Sequence, residues 1–345
     1  MRRTASQNAV PPTAPPSADV EERVDDRAVN LGSRFFNLRT GFSFLLGIAI
    51  LVALFRYTNV DLGDIAAEIR RVDGRLYALA IASYVLTFPF RGVRWQRLLR
   101  NAGVRLPVLP LTEVIFISWF VNSVLPGKIG DIYRGYMIKR EHGVSLSRTV
   151  GTVVAERVVD LLCLILVLGV TGTLVLRSRV SPVVDGIIHA GWIGFAVLVA
   201  GMIAAYFFGS RLAAFFPNRV QVIYERFAHG TFSSFTLRSA PLLVLLTILA
   251  WSAEAARLYF VVSALDVPGI GPLAALFTVA AISLSLIVPT PGGLGGVEAA
   301  FVLVLAVFGV DRSLAVAVAL LDRVISYYSL IIFGFPAFIL TKRGR

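Results

Sequence analysis

The side chains able to do chemistry in this chain lie inside apolar runs. Glu156, Arg157 and Asp160 stand in TVGTVVAERVVDLLCLILVLGVTG (149–172), Glu254 and Arg257 in the run 241–264, Glu298 in PTPGGLGGVE (289–298), and Asp322 with Arg323 in 314–340. A charge facing lipid at mid-depth costs roughly 2.5–3.5 kcal/mol. Eight of them would cost on the order of 20 kcal/mol, more than the ~5–15 kcal/mol that holds a typical fold together. They must therefore face inward and pair, or line water. Arg157 and Asp160 are i,i+3 neighbours on one helix face. The two acid-arginine dipeptides could clamp the chain by crossed pairs, Glu156 to Arg323 and Asp322 to Arg157, or contact a charged substrate; one role does not exclude the other.

Hydrolytic or redox catalysis is not expected. His142, His189 and His229 show no metal-ligand spacing, and Cys163 is the lone cysteine, which leaves no zinc, CxxC or disulfide framework. No aspartate-rich or HxxE-type cluster marks a transferase. The expectation is a non-enzyme with no metal and no cofactor.

The elements that must position these charges are membrane helices. Of 345 residues 57% are hydrophobic and only 16% charged, with a mean hydropathy of +0.77, against roughly 45–50% apolar and about 25% charged in soluble domains. Residues 1–40, with PPTAPP at 11–16, read as a disordered cytoplasmic tail without a signal peptide. Apolar runs then occur at about 41–57, 76–90, 149–173, 189–208, 241–264 and 314–340, each near or somewhat short of the roughly 20 residues that cross a bilayer. Regions 111–140 and 272–309 differ: each is interrupted, by VLPGKIGD (124–131) and by VPTPGGLGGVE (288–298). Proline and glycine end a helix there, and non-helical backbone at membrane depth survives only inside protein or beside water. Both regions read as helical hairpins with irregular tips: Pro126, Gly127, Gly130 and Asp131 in the first, and Pro289, Pro291, Gly292, Gly293, Gly295 and Gly296 in the second. The second is apolar enough to form two full crossings instead.

The hairpins also match in the residues downstream of them. Pro126 precedes Gly143-Val144 and Glu156-Arg157; Pro291 precedes Gly309-Val310 and Asp322-Arg323. Gly143 to Glu156 and Gly309 to Asp322 are both 13 positions, and Arg94 and Arg257 lie 32 and 34 positions before their prolines. The expected fold is an all-α polytopic membrane protein over 41–345, with six full crossings and two broken hairpins. It divides into repeats at about 41–173 and 189–340. Three crossings per repeat is odd, so the second copy enters from the opposite face, an inverted-topology repeat of the kind that holds substrate near the midplane in many transporters. With both termini cytoplasmic in a cell membrane, 23 Lys/Arg fall inside and 7 outside, as the positive-inside rule requires. The formal charge of +12 then reflects attraction to anionic lipid, with no nucleic-acid motif.

A helix start after a Gly-rich turn suits an anion, yet Asp131 and Glu298 sit where capping carboxylates would take the same donors. Stronger phosphate candidates are Arg91, Arg94, Lys128 and Arg134, with Trp95 suited to the interfacial belt and Arg97 and Arg100 to cytoplasmic anchoring.

The order RGVRW, N-x(3)-PGKIGDIYR (122–134), GVS (143–145), ERVVDLL (156–162), PTPGGLGGVE (289–298) and DR (322–323) resembles the flippase-like membrane domain of lysylphosphatidylglycerol synthases, over about 41–340. The motif adds Asn122 to the first tip. Relatives without the synthases' soluble aminoacyl transferase domain include a group tied to polyprenyl-linked glycan assembly. The resemblance implies lipid translocation rather than aminoacyl-lipid synthesis, with an anionic phospholipid or polyprenyl phosphate as the lipid partner and a membrane glycosyltransferase or synthase as a protein partner. Two alternatives are a non-transporting subunit supporting such an enzyme and an ion-coupled transporter of a small soluble solute.

Overall fold

The computed structural model describes residues 38–58, 61–175, 182–285 and 290–343; the tail up to residue 37, Arg177, Arg179 and Pro289 lie outside the described residues. Those described are helical with short connections. In order they are α1 (Leu38–Thr58), α2 (Leu62–Arg70), α3 (Gly74–Asn101), α4 (Val108–Val124), α5 (Ile129–His142), α6 (Leu146–Val175), α7 (Pro182–Ala213), α8 (Asn218–Phe232), α9 (Ala240–Ala264), α10 (Pro272–Ser285), α11 (Gly296–Val307), α12 (Arg312–Arg323) and α13 (Ser329–Arg343). A wide π-type turn, Val324–Tyr328, joins the last two into one rod.

Six stretches are long and apolar enough to cross a membrane: Thr40–Thr58, Gly74–Asn101, Leu146–Val175, Trp192–Ala213, Ala240–Ala264 and Arg312–Thr341. They coincide with the six runs expected from sequence. The largest difference is α3, which continues beyond Phe90 through FRGVRWQRLL to Asn101. Its arginines find buried acids, so the apolar run underestimates the helix. Local chemistry sets the starts. Asp61, Asp73 and Asp311 accept from Gly63 N, Arg75 N and Ser313 N at 2.8, 2.7 and 2.9 Å, the N-cap arrangement that satisfies orphan amides. The Ser313 hydroxyl and amide hold the Asp311 carboxyl below its ordinary range.

The interruptions fall where proline and glycine place them. After α4 the chain is extended at Leu125, then left-handed at Gly127 (φ +80°) and Lys128 (φ +54°), before α5 begins. After α10 comes the tight turn Pro291–Gly293, with positive φ at Gly292, Gly293 and Gly295. Helix α4 packs on α5, and α10 on α11. The two tips also touch, because a Cβ on Gly292 would stand 3.3 Å from Ser123 Cα at the end of α4. Helix α1 closes over the second tip, where a Cβ on Gly295 would lie 2.6 Å from the Gly47 carbonyl oxygen.

The axis of the molecule is the pair α3 and α9. Asp73 N donates to Ala264 O at 3.0 Å at one end, and Asn101 Nδ2 to Ser239 Oγ at 2.7 Å at the other, so the two helices run antiparallel over their whole length. Helix α9 is the most enclosed crossing, with 56% of its apolar window buried, against 11% for α1, which places α1 at the rim.

Candidate functional site

On α3, Arg91 and Arg94 are one turn apart and face into the protein. Arg94 is almost wholly buried, at 1% exposure, and its guanidinium is saturated on one side. Nη1 donates to Asp160 Oδ1 at 2.6 Å and to Thr247 Oγ1 at 3.0 Å, and Nη2 to Glu156 Oε1 at 2.9 Å and Asp160 Oδ2 at 3.0 Å. The other Glu156 oxygen takes Arg134 Nη2 at 2.7 Å. Arg91 lies 3.6 Å from both Asp160 Oδ2 and Glu254 Oε1, over the Trp119 ring at 4.8 Å. On α9, Arg257 bonds Glu254 at 3.3 Å and also pairs with Asp322 of α12. Buried charges survive only when paired in this way.

A second pair flanks each end of this string. Arg157 grips Asp131 at the start of α5 with two bonds of 2.9 Å, and Arg323 Nε donates to Glu298 Oε1 at 2.9 Å. Two of these pairings recur along the chain. Arg94 holds Glu156 as Arg257 holds Asp322, and Arg157 holds Asp131 as Arg323 holds Glu298. The crossed clamp expected from sequence is therefore wrong. Glu156 does not meet Arg323, nor Asp322 Arg157; each acid-arginine dipeptide pairs with partners of its own half. Adjacent residues on a helix point in different directions, so acid and arginine reach separate neighbours.

Both tips consume their own helix-start donors. Gly130 N donates to Asn122 Oδ1 at 2.8 Å, with Asn122 Nδ2 3.3 Å from Asp131, and Gly295 N donates to Glu298 Oε2 at 2.7 Å. Arg323 Nη2 adds a bond of 3.0 Å to the Gly292 carbonyl. Of the four phosphate candidates, Lys128 alone is exposed, on the left-handed turn beside Pro126 and Gly127. Arg91, Arg94 and Arg134 are buried on carboxylates.

Trp95 is not interfacial. It is fully buried, donates to Thr152 Oγ1 at 3.0 Å, and carries the Arg134 guanidinium 4.2 Å above its ring. Trp95→Phe is expected to cost about 1–2 kcal/mol through the lost hydrogen bond and weaker cation–π contact, read as a lower melting temperature in detergent; an unchanged melt would count against this role. Sequence reading also missed Tyr77 and Tyr84, whose hydroxyls donate to Leu321 O at 3.0 Å and Ser326 O at 3.2 Å, at and just before the wide turn. Their spacing of seven on one helix face was the available signal. Several buried donors have no partner among the described residues, including Arg134 Nε and Nη1, Arg91 Nε and Trp251 Nε1. The interior is thus balanced in charge along the string yet rich in donors. Among the described residues no group of His, Cys, Asp and Glu could hold a metal ion.

The model of the lysylphosphatidylglycerol synthase TM region matches residues 43–334. The chain belongs to that family. Within the lysylphosphatidylglycerol synthase membrane family it is similar to a UPF0104 membrane protein of Methanocaldococcus jannaschii, 33% identical over 226 residues, covering 65% of this chain and 95% of the relative. A UPF0104 membrane protein of Pyrococcus horikoshii is 24% identical, with 82% of this chain and 92% of the relative covered. The glycosyltransferase AglD of Haloferax volcanii is 28% identical over 81% of this chain, which spans 51% of that protein. The family match covers both broken regions and every residue of the ion-pair string.

Proposed function

We propose that this family member is a non-catalytic carrier that moves the polar head of an anionic membrane lipid, a phospholipid or a polyprenyl phosphate, between leaflets. The observation that carries the reading is the buried string of ion pairs running from Arg134 through Arg94, Asp160, Arg91 and Glu254 to Asp322. On the axis of α3, Arg94 and Tyr84, the latter 5.7 Å beneath Arg257, are ten residues apart, so the string covers about 15 Å of depth at 1.5 Å per residue. Such charge inside a membrane protein marks a polar pathway, and unpartnered guanidinium donors suit a phosphate.

The antiparallel pairing of α3 with α9, their equivalent arginines and the contact between the two tips favour an inverted repeat with re-entrant hairpins meeting in mid-membrane. The arrangement described is then an occluded state, which opens alternately as one half rocks on the other. A cell membrane with both termini in the cytoplasm agrees with the arginine bias.

The test is leaflet exchange of labelled phosphatidylglycerol and polyprenyl phosphate in proteoliposomes. Wild type is expected to exceed protein-free vesicles, with Arg157→Ala and Asp322→Ala at least tenfold slower. Wild-type rates in both variants would remove these residues from the pathway. The likeness to AglD favours a second reading, a membrane part that supports glycosyl transfer without moving lipid. Copurification with a glycosyltransferase, combined with no exchange in vesicles, would select it.

A further inference from the structure

The connection between α3 and α4 is built more rigidly than a loop needs to be. Gly103 turns it at φ +84°, Val104 N returns to Leu99 O at 2.8 Å, and Gln96 Nε2 donates to Leu106 O at 2.8 Å. At its surface is an open, shallow depression of about 260 Å³ lined by Gln96, Arg100, Arg105, Leu106 and Pro107. Arg100 and Arg105 are exposed, and neither has a carboxylate partner among the described residues. Arg148 stands behind the turn, its Nη2 2.8 Å from where a Cβ on Gly103 would be. All three belong to a different surface from the buried string.

Two further features point to the ligand. Helix α4 begins at Val108 with no side-chain cap and no acid in its first turn, so the amides of Val108 and Leu109 and the positive end of the helix dipole face this corner. Beside them Leu109 is 80% exposed, an apolar surface adjoining a cationic one. A free inorganic anion would use the arginines and amides alone; an amphiphile would use both.

We propose that the α3–α4 corner docks the phosphate head group of an anionic lipid, with the acyl chains lying along Leu109. The site deepens the lipid-carrier reading and rests on it for the identity of the ligand, but its occupancy can be measured without transport. Along α3, Arg100 is 25 residues or about 38 Å from Arg75, which provides an exposed arginine at the far end as a control.

Native mass spectrometry of the full chain in detergent, with phosphatidylglycerol, phosphatidylcholine and inorganic phosphate as separate probes, tests the site. Wild type and Arg75→Gln should retain phosphatidylglycerol over phosphatidylcholine. The Arg100→Gln/Arg105→Gln variant should retain at least fivefold less phosphatidylglycerol, with its melting temperature unchanged because both side chains are exposed. Equal retention by the double variant overturns the proposal. Displacement of the lipid by millimolar inorganic phosphate also overturns it, reassigning the corner to a free anion. If binding follows Arg100 and Arg105 while wild type moves no lipid between leaflets, the carrier reading fails and the docking site stands.

Discussion

Arg94→Ala is expected to lower stability by about 3–5 kcal/mol, the usual cost of removing one partner from a buried ion pair. Its guanidinium accounts for four bonds, two to Asp160, one to Glu156 and one to Thr247. Glu156 would keep Arg134 at 2.7 Å, but Asp160 would be left with Arg91 at 3.6 Å and Arg157 at 3.9 Å. Nearly all of the penalty therefore falls on one carboxylate left with two long ion pairs and no hydrogen bond. Arg94→Met combined with Asp160→Leu should recover most of the loss, because replacing a buried pair by apolar groups of similar volume is often close to neutral. Arg94→Lys should fall between, since an ammonium cannot reproduce the forked geometry. Unfolding in detergent checks the series; an Arg94→Ala melt equal to wild type would show that the string carries no structural load.

Gly292→Ala should cost roughly 2–5 kcal/mol, from overpacking at about 1–3 kcal/mol and a left-handed backbone at about 1–2 kcal/mol. The glycine sits at φ +56°, and a Cβ there would stand 2.6 Å from Tyr327 Cδ2. That ring cannot retreat freely, because it lies on the wide turn and under Arg323, 4.2 Å from its centroid. Tyr327→Leu in the same chain should return the steric part and leave the backbone part. Gly127→Ala supplies the internal comparison: it has a similar φ of +80° but open space around it, so only the backbone cost of about 1–2 kcal/mol applies. Equal losses at Gly292 and Gly127, measured by thermal unfolding, would show that the tip and the wide turn are not in close contact.

Much of this was legible before any coordinates. Apolar length located six crossings, because a helix in lipid must satisfy its own backbone and shield it with carbon. Proline and glycine located both interruptions to within a few residues, and the shared spacing of Gly143–Glu156 and Gly309–Asp322 identified equivalent positions that hold equivalent bonds. Partner choice was not legible. Neighbours in sequence such as Glu156 and Arg157 point about 100° apart around a helix, and which helix each meets depends on packing that spacing does not encode. Trp95 was misread for the same reason: its composition suits the water–lipid boundary, while its place beside Arg94 turns it toward Thr152. The wide turn at Val324–Tyr328 left no mark in the sequence, since an apolar run conceals one extra residue in a helical coil.

The lengths of the ionic contacts carry a mechanical implication. Within the blocks around Arg94 and around Arg257 the string is tight, at 2.6–3.0 Å from Arg94 to its acids and 3.3 Å from Arg257 to Glu254. Between these two blocks of the string the ionic stepping-stone is Arg91, held at 3.6 Å on either side. The protein thus has a fault line at a single guanidinium. Without it the first block is neutral and the second is one positive charge short, so a slide of one block on the other would keep the ion pairs inside each block while this arginine lets go of one acid and the uncharged cross-bonds, Arg94 to Thr247 and Tyr77 to Leu321, are remade.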